Sequence, residues 1–387
     1  MNDTIRIKLK SRFKIIYIIW SMFLFSSIIT MSTLNTINIG KIMIKFCNLF
    51  CKLSYLGFAI YIFTRKKNKK TFLIEFLILI LGIIIDYSSK DNKILHLLIL
   101  IIMSKYLDFK KLAKISLIIL IFSTLLIVFL AMANVIPNYE FIRENKIRYA
   151  CGFIYVSMLP GIILEIIFFS IYLNQNNSLK MKLIYIFSFI ILIIISFFIT
   201  NSRTQFYEGV LLLIGALLRK KIYDNKIVIF IAKYSFVGLL IFSMVVLHMD
   251  GNNSMLRDID KILVGRISLS YETAQRYNIK PFGNEIQMYG ASAIKYSQAK
   301  EYFYIDNLYI QLLYKDGYII SLLACYYIYY LAKMLAKEKT IYSYLLIVWI
   351  IAMNFSSLLI DCALNISLNM PIMLAMNIIN KKNIKNY

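Results

Sequence analysis

Proline is nearly missing from this chain, with 4 in 387 residues; glycine contributes 13, cysteine 5 and histidine 2. With so few chain-breaking residues, long apolar runs recur from Ile15 to the last thirty positions. The cysteines lie in or beside those runs, none in the longest polar stretch, and no CxxC spacing occurs. A metal site of thiolates and a structural disulfide framework are both disfavoured. Cys47 and Cys51 share a helix face as small packing residues. Of the histidines, His96 sits in an apolar stretch as a packed helix residue. His248 lies at the mouth of the large loop, where it is either a base or a structural interface residue. Acidic residues are scarce too, 20 against 44 basic ones.

Sixty per cent of the chain is hydrophobic, more than a soluble core can absorb. A run of roughly 20 apolar residues matches the hydrocarbon thickness of a bilayer, so repeated runs predict an all-α, polytopic transmembrane bundle. The expected spans are 15–33, 42–63, 72–86, 94–104, 115–133, 151–173, 183–199, 206–218, 227–247, 306–332, 341–359 and 361–380, about twelve in a single integral membrane domain covering 1–387. The basic start followed by the Ile15 run imitates a signal peptide, but no convincing small-residue cleavage site follows, and a retained first helix is expected.

A net charge of +24 raises nucleic acid as a partner. The distribution of the charge argues for topology instead. The segment up to Lys14, the "RKKNKK" stretch, 105–114, 174–182, 219–226, 333–340 and the last residues hold 26 of the 44 lysines and arginines. The intervening short connections carry only Lys41, Lys90, Lys93, Arg143, Lys146, Arg148 and Arg203. By the positive-inside rule the basic set is cytoplasmic, and both termini with it.

On the opposite face one connection is long. Residues 248–305 form a predicted external loop, with short helices over 254–276 and 287–301 separated by "NIKPFGNE". A tight external turn, "TNSRTQ" at 200–205, carries Arg203 at its tip. Past the loop, Asn307, Gln311 and Tyr314 recur at i, i+4 and i+7, a polar stripe expected to line a wet cavity before the fully apolar helix starts near Tyr318.

"NSRTQFYEGVLLLIGALL" and "LVGRISLSYETAQRYNIKPFGNE", followed by "YIDNLYIQLLYKDGYIISLL", resemble the O-antigen and capsular polysaccharide polymerase (Wzy-type) family, related to the O-antigen ligases. The matching residues are Arg203, Arg266, Pro281 with Gly283, Asp306 with Asn307 and Tyr309, and Gly317. Asp306 stands where the ligases usually carry histidine, a departure toward the capsular-type polymerases. The resemblance implies a GT-C-like glycosyltransferase of the bacterial cell membrane, with no cofactor or metal. It would transfer a glycan from undecaprenyl pyrophosphate onto a lipid-linked repeat unit. The implied partners are that lipid-linked oligosaccharide, membrane lipid, and a chain-length regulator and flippase of the same pathway. It implies catalytic roles for Asp306, Arg266 and Arg203, and substrate binding by Asn307, Tyr309, Gln311, Arg276, Asn284 and Glu208.

Each residue also has a structural reading. Arg203 serves equally as an interfacial anchor, and Arg266 and Arg276 as solvated loop charges. Asp306 suits a helix N-cap. Glu208, beneath Arg203 in the same helix, is expected to orient that arginine. A ligase and a non-enzymatic flippase stay open, although transporters place polar groups near the bilayer midplane and here they cluster at the external surface.

Overall fold

A computed structural model describes residues 3–143, 146–174, 179–217, 225–248, 260, 266–289, 303–338, 342–352 and 377–378. Apart from 377–378, the expected spans beyond 352 lie outside the described residues, as do 249–259 and 261–265 of the large loop and 290–301 of the second helix expected over 287–301.

The described chain is almost wholly helical: α1 (Asp3–Thr30), α2 (Asn38–Phe63), α3 (Lys69–Ser89), α4 (Lys93–Ser104), α5 (Phe109–Met132), a hairpin of β1 (Glu140–Arg143) and β2 (Lys146–Tyr149), then α6 (Met158–Asn174), α7 (Leu179–Thr200), α8 (Arg203–Leu217), α9 (Lys226–His248), α10 (Arg266–Arg276), α11 (Leu308–Gln311), α12 (Tyr318–Glu338) and α13 (Tyr342–Ala352). Among the described residues six helices are long and apolar enough to cross a membrane: Asn38–Phe63, Lys69–Ser89, Phe109–Met132, Leu183–Thr200, Lys226–Leu247 and Tyr318–Lys337.

Helix starts follow local chemistry. Asn68 caps α3 by accepting from the Thr71 amide at 2.7 Å, and Asp108 caps α5 by accepting from Lys110 at 3.0 Å and Lys111 at 3.4 Å. On α2, Ile39, Ile42, Phe46, Leu49, Leu53, Leu56 and Ile60 are all exposed. Their alternating spacing of three and four draws one apolar stripe facing outward. In water seven such side chains would forfeit on the order of 10 kcal/mol of burial. Hydrocarbon removes that cost, so the stripe is compatible with a surface that faces lipid.

Inward faces build two cores. Trp20, Phe23, Phe58, Phe109 and Phe169 centre the first, among α1, α2, α5 and α6, and the Trp20 indole donates to Ser116 Oγ at 2.9 Å. Phe236, Tyr309, Leu331 and Leu346 belong to the second, among α9, α11, α12 and α13.

Contacts between connections sort into two groups. At one end Lys67 and Lys105 pair with the buried Glu75 at 2.6 and 2.8 Å, and Tyr106 donates to the same carboxylate. At the other end Thr33 donates to the Pro137 carbonyl, Arg148 to Thr200, Ser88 to Gly283, and Lys315 pairs with Asp91. These are the two loop sets that charge counting separates.

Three expected spans differ. α4 has 12 residues, about 18 Å of rise, too short to cross a bilayer alone. The expected helix over 151–173 starts only at Met158, because left-handed backbone at Cys151 (φ 52°) and Gly152 (φ 84°) interrupts it. The expected continuous 306–332 helix breaks at Gly317 (φ 99°), and a single wide π-turn over Leu312–Asp316 separates α11 from α12.

Candidate functional site

The break before α12 leaves amides without carbonyls and carbonyls without amides, and the "NIKPFGNE" turn supplies both. Tyr318 and Ile319, the first residues of α12, donate to the carbonyls of Lys280 (3.1 Å) and Pro281 (3.3 Å). In return Asn284 donates its backbone amide to Lys315 O at 3.0 Å and its side-chain amide to Tyr314 O at 2.7 Å and Asn278 O at 2.8 Å. The approach is so close that a Cβ on Gly283 (φ 85°) would stand 1.9 Å from the Lys315 carbonyl oxygen. The large loop is therefore tethered at a fixed point, and Asn284 is engaged in the tether.

That tether sets the chain direction through Ile305–Leu308. Asn307, not Asp306, caps α11: its Oδ1 accepts from the Tyr309 amide at 2.9 Å, while its Nδ2 donates to Ser243 Oγ of α9 at 3.1 Å. Asp306 is left free of capping. Its Oδ2 lies 3.7 Å from Nε of Arg266, the first residue of α10. The carboxyl is pulled two ways: partial burial raises its pKa, and the Arg266 guanidinium opposes that rise.

Arg266 also acts electrostatically on Glu208 of α8. Glu208 is buried, and its Oε1 has no hydrogen-bond partner among the described residues. Alongside the expected relation of Glu208 to Arg203, the Arg266 guanidinium therefore also acts on this carboxyl. Five residues apart on one helix, Arg203 and Glu208 point in directions about 140° apart, whereas neighbours on a face are three or four apart. Arg266 of α10 pairs with Asp306 in the extended segment ahead of α11, and the buried Glu208 of α8 lies within the electrostatic reach of Arg266.

Other expected site residues fall elsewhere. Tyr309 is fully buried against Phe236, and its hydroxyl donates to Ile350 O at 2.9 Å. Gln311 and Tyr314 are buried rather than open to a wet cavity. Gln311 Oε1 has no hydrogen-bond partner among the described residues. Arg276 pairs with Glu272 on the same helix and lies over the Phe303 ring at 4.7 Å.

Two features were not expected from the sequence. One is a buried charge cluster behind the tether: Lys315 pairs with Asp91, and Asp316 is 3% exposed. Burial pushes the Asp316 carboxyl up to about 8. The other is the hairpin, which brings Arg148 onto the Arg203 turn. Arg148 Nε donates to Thr200 O at 2.8 Å and its terminal nitrogen to Ser202 Oγ at 3.5 Å. A signal was present in the alternating residues of "EFIRENKIRY", where Phe141, Arg143, Lys146 and Arg148 share one strand face.

A crevice at the opposite end is lined by Arg65, Lys66, Lys67, Lys69, Phe72 and Leu73. It has the basic character of the charge-rich loops and no carboxylate lining it. No family model, curated protein or solved structure matches this chain.

Proposed function

We propose that the protein is a polysaccharide polymerase of the bacterial cell membrane, a GT-C-like bundle of about twelve spans with both termini in the cytoplasm. It transfers a glycan from undecaprenyl pyrophosphate onto a second lipid-linked repeat unit at the outer face. The observation that carries this reading is the Arg266–Asp306 pair, in which the carboxylate is not used as a helix cap. It lies just ahead of the span that starts at Tyr318.

In this reading Asp306 takes the proton of the acceptor sugar hydroxyl as that oxygen bonds to the anomeric carbon of the donor. The bond from the anomeric carbon to the phosphate oxygen breaks, and undecaprenyl pyrophosphate leaves with the electron pair. A carboxyl raised by burial is a better base than an exposed one, and Arg266 keeps it ionised and oriented. Glu208 adds a second negative charge to the field of Arg266. Arg203 neutralises charge building on the leaving pyrophosphate, for which a planar guanidinium fork is suited.

Polymer length in cells tests the proposal. Asp306→Asn at matched membrane expression is expected to leave single repeats on the lipid carrier at the outer face. Normal chains from that variant would overturn the assignment, and single repeats accumulating at the inner face would point to a flippase.

A further inference from the structure

We propose that the crevice at the α2–α3 connection binds an anionic membrane phospholipid, with its phosphate between Lys66 and Lys69 and its chains along the outer face of α3. The site shares no residue with the Arg266–Asp306 pair, and it does not depend on the polymerase reading.

Five of the six residues of "RKKNKK" at 65–70 are basic, and those lining the crevice divide into engaged and available ones. Arg65 donates to the Tyr61 hydroxyl and lies over that ring at 4.0 Å. Lys67 is held on the buried Glu75 at 2.6 Å, its ammonium 5.5 and 5.3 Å from the ring centroids of Phe63 and Phe72. Glu75 also takes Lys105 at 2.8 Å, so its one negative charge already meets two lysines. Lys66 and Lys69 are exposed and have no acidic partner among the described residues. The turn between them is fixed, because Asn68 caps α3 through the Thr71 amide and Lys67 is pinned on Glu75. Two available ammoniums therefore flank a preformed turn, which lowers the ordering cost of binding there.

The crevice holds about 460 Å³, and its other wall is apolar: Phe72 and Leu73 line it and are 42% and 56% exposed. Phe72 stands edge-on to Phe63 with centroids 6.0 Å apart and stacks on Phe76 at 6.1 Å. Further along α3, Phe76, Leu77, Ile83 and Ile84 are exposed too. At 100° per residue these side chains and the two wall residues fall within an arc of about 140°. An apolar track thus leaves the crevice along one of the six helices long and apolar enough to cross a membrane. A soluble phosphate would be matched by the ammoniums alone and would leave that track bare. A phospholipid matches both halves, its phosphate on the lysines and its chains on the rings and the helix. Lysine, a point charge on a flexible stem, suits a headgroup that moves with its tail.

The full-length protein in an uncharged detergent is titrated with phosphatidylglycerol, with phosphatidylcholine as the zwitterionic reference, and its thermal midpoint is followed. Phosphatidylglycerol is expected to raise the midpoint well beyond phosphatidylcholine. Lys66→Gln combined with Lys69→Gln should weaken its apparent affinity more than about tenfold, each lysine near anionic lipid being worth a factor of about five. The charge-matched control is Lys110→Gln with Lys111→Gln, two exposed lysines at the start of α5 on the same basic end, which should leave the affinity near that of the parent. Equal losses in the two double variants would reduce the effect to the general positive charge of that end and overturn the site, as would equal shifts from the two lipids. Without lipid the Lys66→Gln, Lys69→Gln protein should melt with the parent; a lower midpoint would show that these lysines already have partners in the fold, and that also overturns the site. Glycerol 3-phosphate carries the phosphate without the chains, and an equal shift from it at equal concentration overturns the lipid assignment in favour of a soluble phosphate. No polymer is read, so normal polymer from Asp306→Asn would remove the polymerase reading while leaving this site standing.

Discussion

Arg266 Nε approaches Asp306 Oδ2 to 3.7 Å while the neighbouring Asn307 caps the helix that follows. Charge and cap, two roles that one aspartate could have combined, are divided between consecutive residues. Substitutions should therefore separate them. Asp306→Asn is expected to keep the apparent melting temperature near that of the parent and to abolish long polymer. Asn307→Ala should lower stability by about 1 kcal/mol, as loss of a cap does. Melting curves and polymer gels on both variants check this; an Asp306→Asn protein that unfolds early would return Asp306 to a structural role.

The tether makes a sharper stability prediction. At Gly283 a side chain meets the Lys315 carbonyl at 1.9 Å, and at Gly317 it meets Pro281 O at 2.4 Å, both with positive φ. Left-handed backbone alone costs about 1–2 kcal/mol for a residue with a Cβ, and the backbone clash adds to it. Gly283→Ala and Gly317→Ala should fail to accumulate as folded protein. Gly161 and Gly238 have no atom within 4 Å of an added Cβ, and alanine there should be neutral or stabilising by up to about 1 kcal/mol. Size-exclusion profiles of the four detergent-solubilised variants give the comparison.

Much of this arrangement is legible from residue types, and the reasons for the remainder are physical. The long apolar helices announce themselves as long apolar runs, and the change from polar to apolar near Tyr318 shows in Lys315, Asp316 and Gly317, whereas the break in the helix there does not. Asp306 and Asn307 are visible as a polar pair, but which one caps depends on the backbone path set by the tether. Glu208 is read from the sequence with Arg203 in the same helix, and the influence of Arg266, 58 positions away in the chain, shows only in the folded arrangement. The hairpin carries four-residue strands, too short for a confident period of two, and so Arg148 stayed a loop charge until the register placed it.

The charge cluster behind the tether predicts a pH dependence. Asp316 rises from 3.8 to about 8, first through burial and then through the nearby Asp91 and Asp86, against the attraction of Lys315 and Lys93. In the folded protein it holds a proton that the unfolded chain has lost, so stability falls as pH rises from about 4 to 8, by up to about 1.4 kcal/mol per pH unit. Asp91 is held below its usual range by burial-opposing contacts with Lys93 and Lys315. Its contribution is present above pH 4 and constant through this window. Asp316→Asn should therefore flatten the melting temperature between pH 5 and 8 and exceed the parent above pH 8. A parallel decline in both proteins would show that Asp316 is not the titrating group.

The position of the site relative to the membrane can be tested without measuring activity. Lys146 in the hairpin and Lys70 at the start of α3 are both exposed, and they belong to the two opposite groups of connections. If Lys70 shares the cytoplasmic face with the other basic loops, Lys146 must lie outside with Arg203, Arg266 and Asp306. In a protein whose native cysteines are replaced by serine, Lys146→Cys should react with a membrane-impermeant maleimide added to intact cells. Lys70→Cys should react only after the membrane is opened. Neither lysine has a resolved role in packing, so folding should be unaffected by either change. The reverse labelling pattern would put Asp306 on the cytoplasmic face, where a repeat unit already delivered across the membrane cannot reach it, and a polymerase acting there would be excluded.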